Sequence, residues 1–174
     1  MDDLRRLMDF DSLWTLWFWI THVMAWSLTS HFTMGVPFDM VVQANREQNK
    51  NGPWTTHCDA MIRASIFRLN AVFDRFGTAI VATWSFLIAS LATSGVFFQI
   101  EFALALVTLL GPLTIIFSLT TWQARRMGAA DLSPAGLRDG VRRLRFWNQV
   151  CGVVGIVLAA TAAVWNIART VTPI

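Results

Sequence analysis

Few side chains here could do chemistry, and their spacing narrows the choice. His22 and His31 stand in "LWFWITHVMAWSLTSH", a run otherwise apolar and rich in tryptophan. Nine residues apart on a helix, they are separated by about 13 Å along the axis and half a turn around it, so they cannot hold one ion together. His22 alone could ligate a haem, bond a quinone or pass a proton. A b-type haem would need a second axial ligand, and no other apolar run contains a histidine. That ligand would have to be a methionine, or His22 of a second copy. The plainer reading is an interior histidine bonded to a neighbouring helix.

A second group, His57-Cys58-Asp59, holds ligand types suited to zinc or iron, with His31 and Asp39 on the same side. Neighbours on a helix point in different directions, and this spacing matches no metal motif. No metal site is expected; His31, His57 and Cys58 are the weak candidates. The two cysteines, Cys58 and Cys151, make neither a disulfide framework nor an iron–sulfur ligand set. There is no phosphate-binding glycine loop, nucleophile elbow or H-E-x-x-H pair. The expectation is therefore a non-enzymatic protein with no catalytic residues.

The elements that carry these residues belong to a membrane protein. Of 174 residues, 55% are hydrophobic and 14% charged, and mean hydropathy is +0.48. A soluble domain is more charged, and here the apolar residues gather into long runs. Four transmembrane helices are expected, at about 12–32, 77–98, 102–122 and 146–168. Each is long enough for a ~30 Å hydrocarbon core. The whole chain, 1–174, reads as one integral membrane domain. The amino terminus is not expected to be a cleaved signal peptide: it is acidic, and the run after it is too long.

Charge sets direction. Arg46, Lys50, Arg63, Arg68 and Arg75 lie in segment 33–76, and Arg125, Arg126, Arg138, Arg142, Arg143 and Arg145 in segment 123–145. Of the 14 Lys and Arg only Arg5, Arg6 and Arg169 lie elsewhere. The positive-inside rule makes both segments cytoplasmic and both termini outward. Tryptophans fit interfacial belts, with Trp14, Trp17 and Trp165 outside and Trp54, Trp122 and Trp147 inside. The basic charge is a topology signal and an attraction for lipid headgroups, and no nucleic-acid motif accompanies it.

The inner segments carry helical patterns of their own. Cys58, Ile62, Ile66, Leu69, Phe73 and Phe76 recur at helical steps, giving an amphipathic helix that leads towards the second span. Ser133-Pro134 has the form of an N-cap and first helical residue, opening a basic helix that could run into the fourth span. Residues 45–53 read as a loop, and the first helix should end near Gly35 and Pro37 in a short interfacial segment. Gly111-Pro112 should kink or loosen the third span. Small residues mark packing faces: Gly155, Ala159 and Ala163 on the fourth span, Ser85 and Ala89 on the second. Thr15, His22 and Thr29 repeat at seven and give the first span a polar stripe. No span contains Asp, Lys or Arg, which argues against a coupled transporter.

The stretches "LWFWITHVMAWSLTSHFTMGVPFDMVV", "RLNAVFDRFG" and "ARRM" before a basic helix resemble a family of small four-helix inner-membrane proteins of Rhodobacter-type alphaproteobacteria. "GVPFDM" is the most distinctive piece, and members often bear the label "component of SufBCD complex". The resemblance implies a multi-pass protein of the bacterial inner membrane and transfers no catalytic residue. The expected role is an accessory, assembly or scaffold subunit of a larger membrane complex. Arg138, Arg142, Arg143 and Arg145 would dock a protein partner, and membrane lipids would surround the spans. One alternative is a small homo-oligomeric channel or transporter lined by the first helix. Another is a redox protein binding haem or quinone through His22.

Overall fold

The computed structural model describes residues 16–47, 52–98, 100–130 and 132–171. They form helix α1 (Leu16–His31), strands β1 (Phe32–Thr33) and β2 (Val36–Pro37), and helices α2 (Phe38–Arg46), α3 (Pro53–Phe97), α4 (Glu101–Ala129) and α5 (Pro134–Val171). The protein is all-helical apart from that two-residue ladder.

Helices α3, α4 and α5 are each long and apolar enough to cross a membrane, which marks a membrane protein. The amphipathic pattern and the apolar run after it merge in α3, one unbroken helix of 45 residues. At 1.5 Å per residue it measures about 68 Å, twice the hydrocarbon thickness, so half of it must stand outside a membrane that it crosses. Gly77 does not interrupt it: a side chain there would touch only Phe73, one turn back, at 3.4 Å. Helix α5 likewise runs on for 38 residues. Its first turn is capped by Ser133, whose Oγ accepts from the Gly136 N–H at 3.3 Å. The described part of α1 has 16 residues, or about 24 Å. It is not among the three membrane-length helices; residues 12–15 of the expected first span lie outside the described residues.

The stretch after α1 differs from the expected interfacial segment. Phe32 pairs with Pro37 and Thr33 with Val36 in an antiparallel hairpin. Both turn residues have positive φ, Met34 at 58° and Gly35 at 75°, the signature of a type I′ turn. Gly35 takes that conformation freely. Met34 is held in it by burial of its side chain. Asn45 and Arg46, expected in a loop, belong to α2.

The main core lies at the polar end. Met34 and Val36 of the hairpin, Val41 of α2, Cys58 and Ile62 of α3, Met127 of α4, and Leu137 and Val141 of α5 pack together there. The described parts of segments 33–76 and 123–145 thus build one compact head. The apolar halves pack more loosely: 6% of the most apolar window of α3 is buried, against 28% in α4 and in α5. Lipid chains are as apolar as leucine, so helices in a membrane associate through close contact and interhelical hydrogen bonds, such as the one Trp84 Nε1 donates to Thr114 Oγ1 at 2.7 Å. Such contact occurs where α3 turns into α4. A Cβ on Gly95 would lie 2.9 Å from the Leu104 backbone nitrogen, so the two chains meet at a distance only glycine allows.

Candidate functional site

Helix α1 presents Phe18, His22 and Trp26, four residues apart, along one face. Phe18 packs against Ala105 and Ala163. Trp26 covers Gly152 and Gly155; a Cβ on Gly155 would lie 2.7 Å from its Cζ2 and one on Gly152 3.1 Å from its Cε3. Gly155, Ala159 and Ala163 are all buried, so this small-residue face of α5 is spent inside the chain, against α1. Pro112 joins the contact from α4 without ending that helix: its Cγ lies 3.3 Å from the same Gly155 position.

His22 is shut into this seam at 0% exposure, with the Phe18 ring 5.2 Å away and the Trp26 ring 5.9 Å away. Neither ring nitrogen has a hydrogen-bond partner among the described residues. Trp26 Nε1, Thr33 Oγ1 and Asn148 Oδ1 share that condition, while Asn148 Nδ2 donates to the Thr29 carbonyl at 3.3 Å. His22 and Trp26 lie one turn apart on α1, and Asn148 reaches the Thr29 carbonyl about one turn further on, so these groups gather where α1 meets α5; Thr33 lies past the end of α1, in β1. Such a seam can receive a guest that both donates and accepts hydrogen bonds. It faces the chain's own helices rather than a neighbouring copy. Thr15, the first member of the expected polar stripe, lies outside the described residues.

The weak metal candidates do not converge. Cys58 is in the head core, while His57 beside it and His31 are exposed, and His31 rests edge-on against Phe32 at 4.7 Å. Among the described residues no three His, Cys, Asp or Glu side chains group to hold a metal.

The head contains the one buried ion pair among the described residues. Arg138 Nη1 reaches both Asp59 oxygens, at 2.8 and 2.9 Å, with the two side chains only 12% and 13% exposed. Its Nε donates to Asn45 Oδ1 at 3.2 Å, so α2, α3 and α5 meet on one guanidinium. Arg145 lies 3.4 Å above the centre of the Phe38 ring, a cation–π contact. Arg142 pairs with Asp139 at 3.4 Å in solvent, where such pairs contribute little, and Arg143 is exposed. Of the four arginines expected to dock a partner, Arg138 and Arg145 are turned to the chain's own residues. Glu47 has a comparable local task. Gly52, the N-cap of α3, makes no side-chain cap; Glu47 accepts instead from the Thr55 N–H and hydroxyl, each at 2.8 Å. These bonds, the Thr55 N–H first, hold its carboxyl below the usual range.

Ser85 and Ala89, the other small-residue pair, are exposed. Ser85 lines a cavity of about 730 Å³ between α3 and α4. A second cavity of about 760 Å³ lies between α4 and α5, walled by residues such as Pro112, Trp147 and Cys151.

No family model, curated protein or solved structure matches this chain. Sequence reasoning missed the Asp59–Arg138 pair and the Glu47 cap. The signal for the first was faint: each residue borders an apolar helical stripe, Cys58/Ile62 and Leu137/Val141. The signal for the second was an acid five residues before a Gly-Pro that supplies no cap of its own.

Proposed function

We propose that this protein is a non-enzymatic accessory or assembly subunit of a larger inner-membrane complex, with four spans, both termini outward and the head in the cytoplasm. The observation that carries the reading is the membrane half of α3. Its most apolar window is 6% buried, and it presents Phe86, at 75% exposure, beside the small exposed Ala89. A large aromatic next to a small residue is the relief into which a second membrane helix packs. On the head, exposed Arg142 and Arg143 give a polar partner a charged contact. The resemblance through "GVPFDM" supports the same location. The test is affinity purification from native membranes in mild detergent, read by native mass. Stoichiometric recovery of a larger membrane complex, reduced at least tenfold by Ala89→Leu, is the expected result. A homo-oligomer without partners refutes it.

One observation favours a second reading, a redox protein with haem or quinone: both His22 nitrogens are buried without partners among the described residues. The visible spectrum of protein purified from native membranes tests the haem form, and a spectrum without a Soret band ends it.

A further inference from the structure

The cavity between α3 and α4 changes character along its length. Its deep part is walled by Ile80, Val81, Trp84 and Phe117, and its end beside the head is walled by Arg68, Gly35, Thr120 and Asn148. Arg68 Nη2 and Ser65 Oγ converge on the hairpin turn: they lie 3.4 and 3.7 Å from the point where a side chain on Gly35 would begin. Arg75 turns to Phe76, and Arg125 pairs with Asp74. Arg68 has no acid partner among the described residues, so it offers a free guanidinium to this end of the cavity. Asn148 is 3% exposed, lines the same end, and keeps its Oδ1 without a donor among the described residues.

We propose that this cavity binds one anionic glycerophospholipid, with its phosphate at Arg68 and an acyl chain running to Trp84. Three observations support that occupant. Arg68 and Trp84 are sixteen residues apart on one helix, about 24 Å. One leaflet offers about 15 Å of hydrocarbon and several more of headgroup, so the cavity is about one lipid long. Its volume of about 730 Å³ falls within the range of small-molecule sites. Its polarity also matches: a cation that forms bidentate bonds with phosphate stands at the end where headgroups lie, and apolar walls fill the other end. Asn148 Oδ1 can accept from a headgroup hydroxyl. A free inorganic phosphate would use Arg68 but not the stem. The site is separate from the exposed Ala89 face and stands or falls without the accessory role.

The test is native mass spectrometry of the full-length protein in detergent, titrated with phosphatidylglycerol, phosphatidylcholine or inorganic phosphate. One phosphatidylglycerol per chain is expected, with phosphatidylcholine held about tenfold less tightly and no competition from millimolar phosphate. Arg68→Gln should weaken phosphatidylglycerol about tenfold, the scale of a lost charge-assisted bond, and Arg68→Lys should restore most of it. Val81→Trp, which fills the stem, should weaken both lipids. Arg143→Gln, outside the cavity wall, is the control and should leave both lipid affinities unchanged. Equal affinity for the two lipids, or phosphatidylglycerol binding that Arg68→Gln leaves intact, would overturn the proposal. Displacement by phosphate would reassign the site to a free anion.

Discussion

Replacing Arg138 with methionine strands the Asp59 carboxylate in the head. Removing one partner of a buried pair costs about 3–5 kcal/mol, because the remaining charge stays desolvated; here Asn45 loses its donor as well. Asp59 adjoins Cys58, a core thiol at 0% exposure, so opening of the head can be timed by maleimide labelling. In a Cys151→Ala background Cys58 is the only thiol. If labelling requires opening, about 3 kcal/mol raises its rate roughly 10²-fold and about 5 kcal/mol over 10³-fold. Changes in thiol acidity cannot imitate this. Cys58 lies in the head end of α3, where burial first and then the Asp59 charge push its thiol up, while Arg138 pulls it down. Without Arg138 less thiolate forms in the closed head, which slows labelling. The double variant Asp59→Leu with Arg138→Met removes both charges and should return to within about tenfold of the parent. A labelling rate for Arg138→Met within about threefold of the parent would refute the reasoning.

Other consequences are smaller or more local. Glu47 has a depressed folded-state value, so its contribution is present above the ordinary carboxyl range and is lost as pH falls through the lower folded value. Acid should loosen the first turn of α3, and Glu47→Gln should abolish that pH dependence, as followed by hydrogen exchange at Thr55. Gly155→Ala sets a methyl against the Trp26 ring and should cost about 1–3 kcal/mol, read as a lower thermal midpoint with shifted tryptophan fluorescence. His22→Leu exchanges a buried ring with two unpartnered nitrogens for an apolar side chain. It should leave stability unchanged or raise it by about 1–3 kcal/mol, and a marked loss in detergent unfolding would show that His22 has a partner in the folded protein.

The helices were largely legible because long apolar runs mark membrane-length helices and the Cys58/Ile62/Ile66 periodicity marks the buried stripe of the head, and nothing in 53–97 or 134–171 forbids a run-on helix. The hairpin was not legible. Its turn is Met34-Gly35, and methionine at positive φ gives none of the Asn-Gly signal that marks such turns. Small-residue spacing reveals a face without naming its neighbour. Gly155 and Ala163 meet α1, whereas Ser85 and Ala89, read by the same rule, lie exposed. The arginines show a similar limit. Charge counts give a side of the membrane, but whether Arg138 faces solvent or Asp59 depends on a contact 79 residues away in the chain.

Because α3 passes from head to apolar half without a break, the two halves are locked in phase. Each residue adds 1.5 Å of rise and about 100° of rotation. One residue inserted near Gly77 would leave the head's packing alone yet turn Phe86 and Ala89 more than a quarter circle about the axis. Two residues would point them nearly backwards. A shaft of this kind also transmits in reverse: a neighbour that twists the apolar half applies torque to the head, where Asp59, on the same shaft, grips Arg138 on the next.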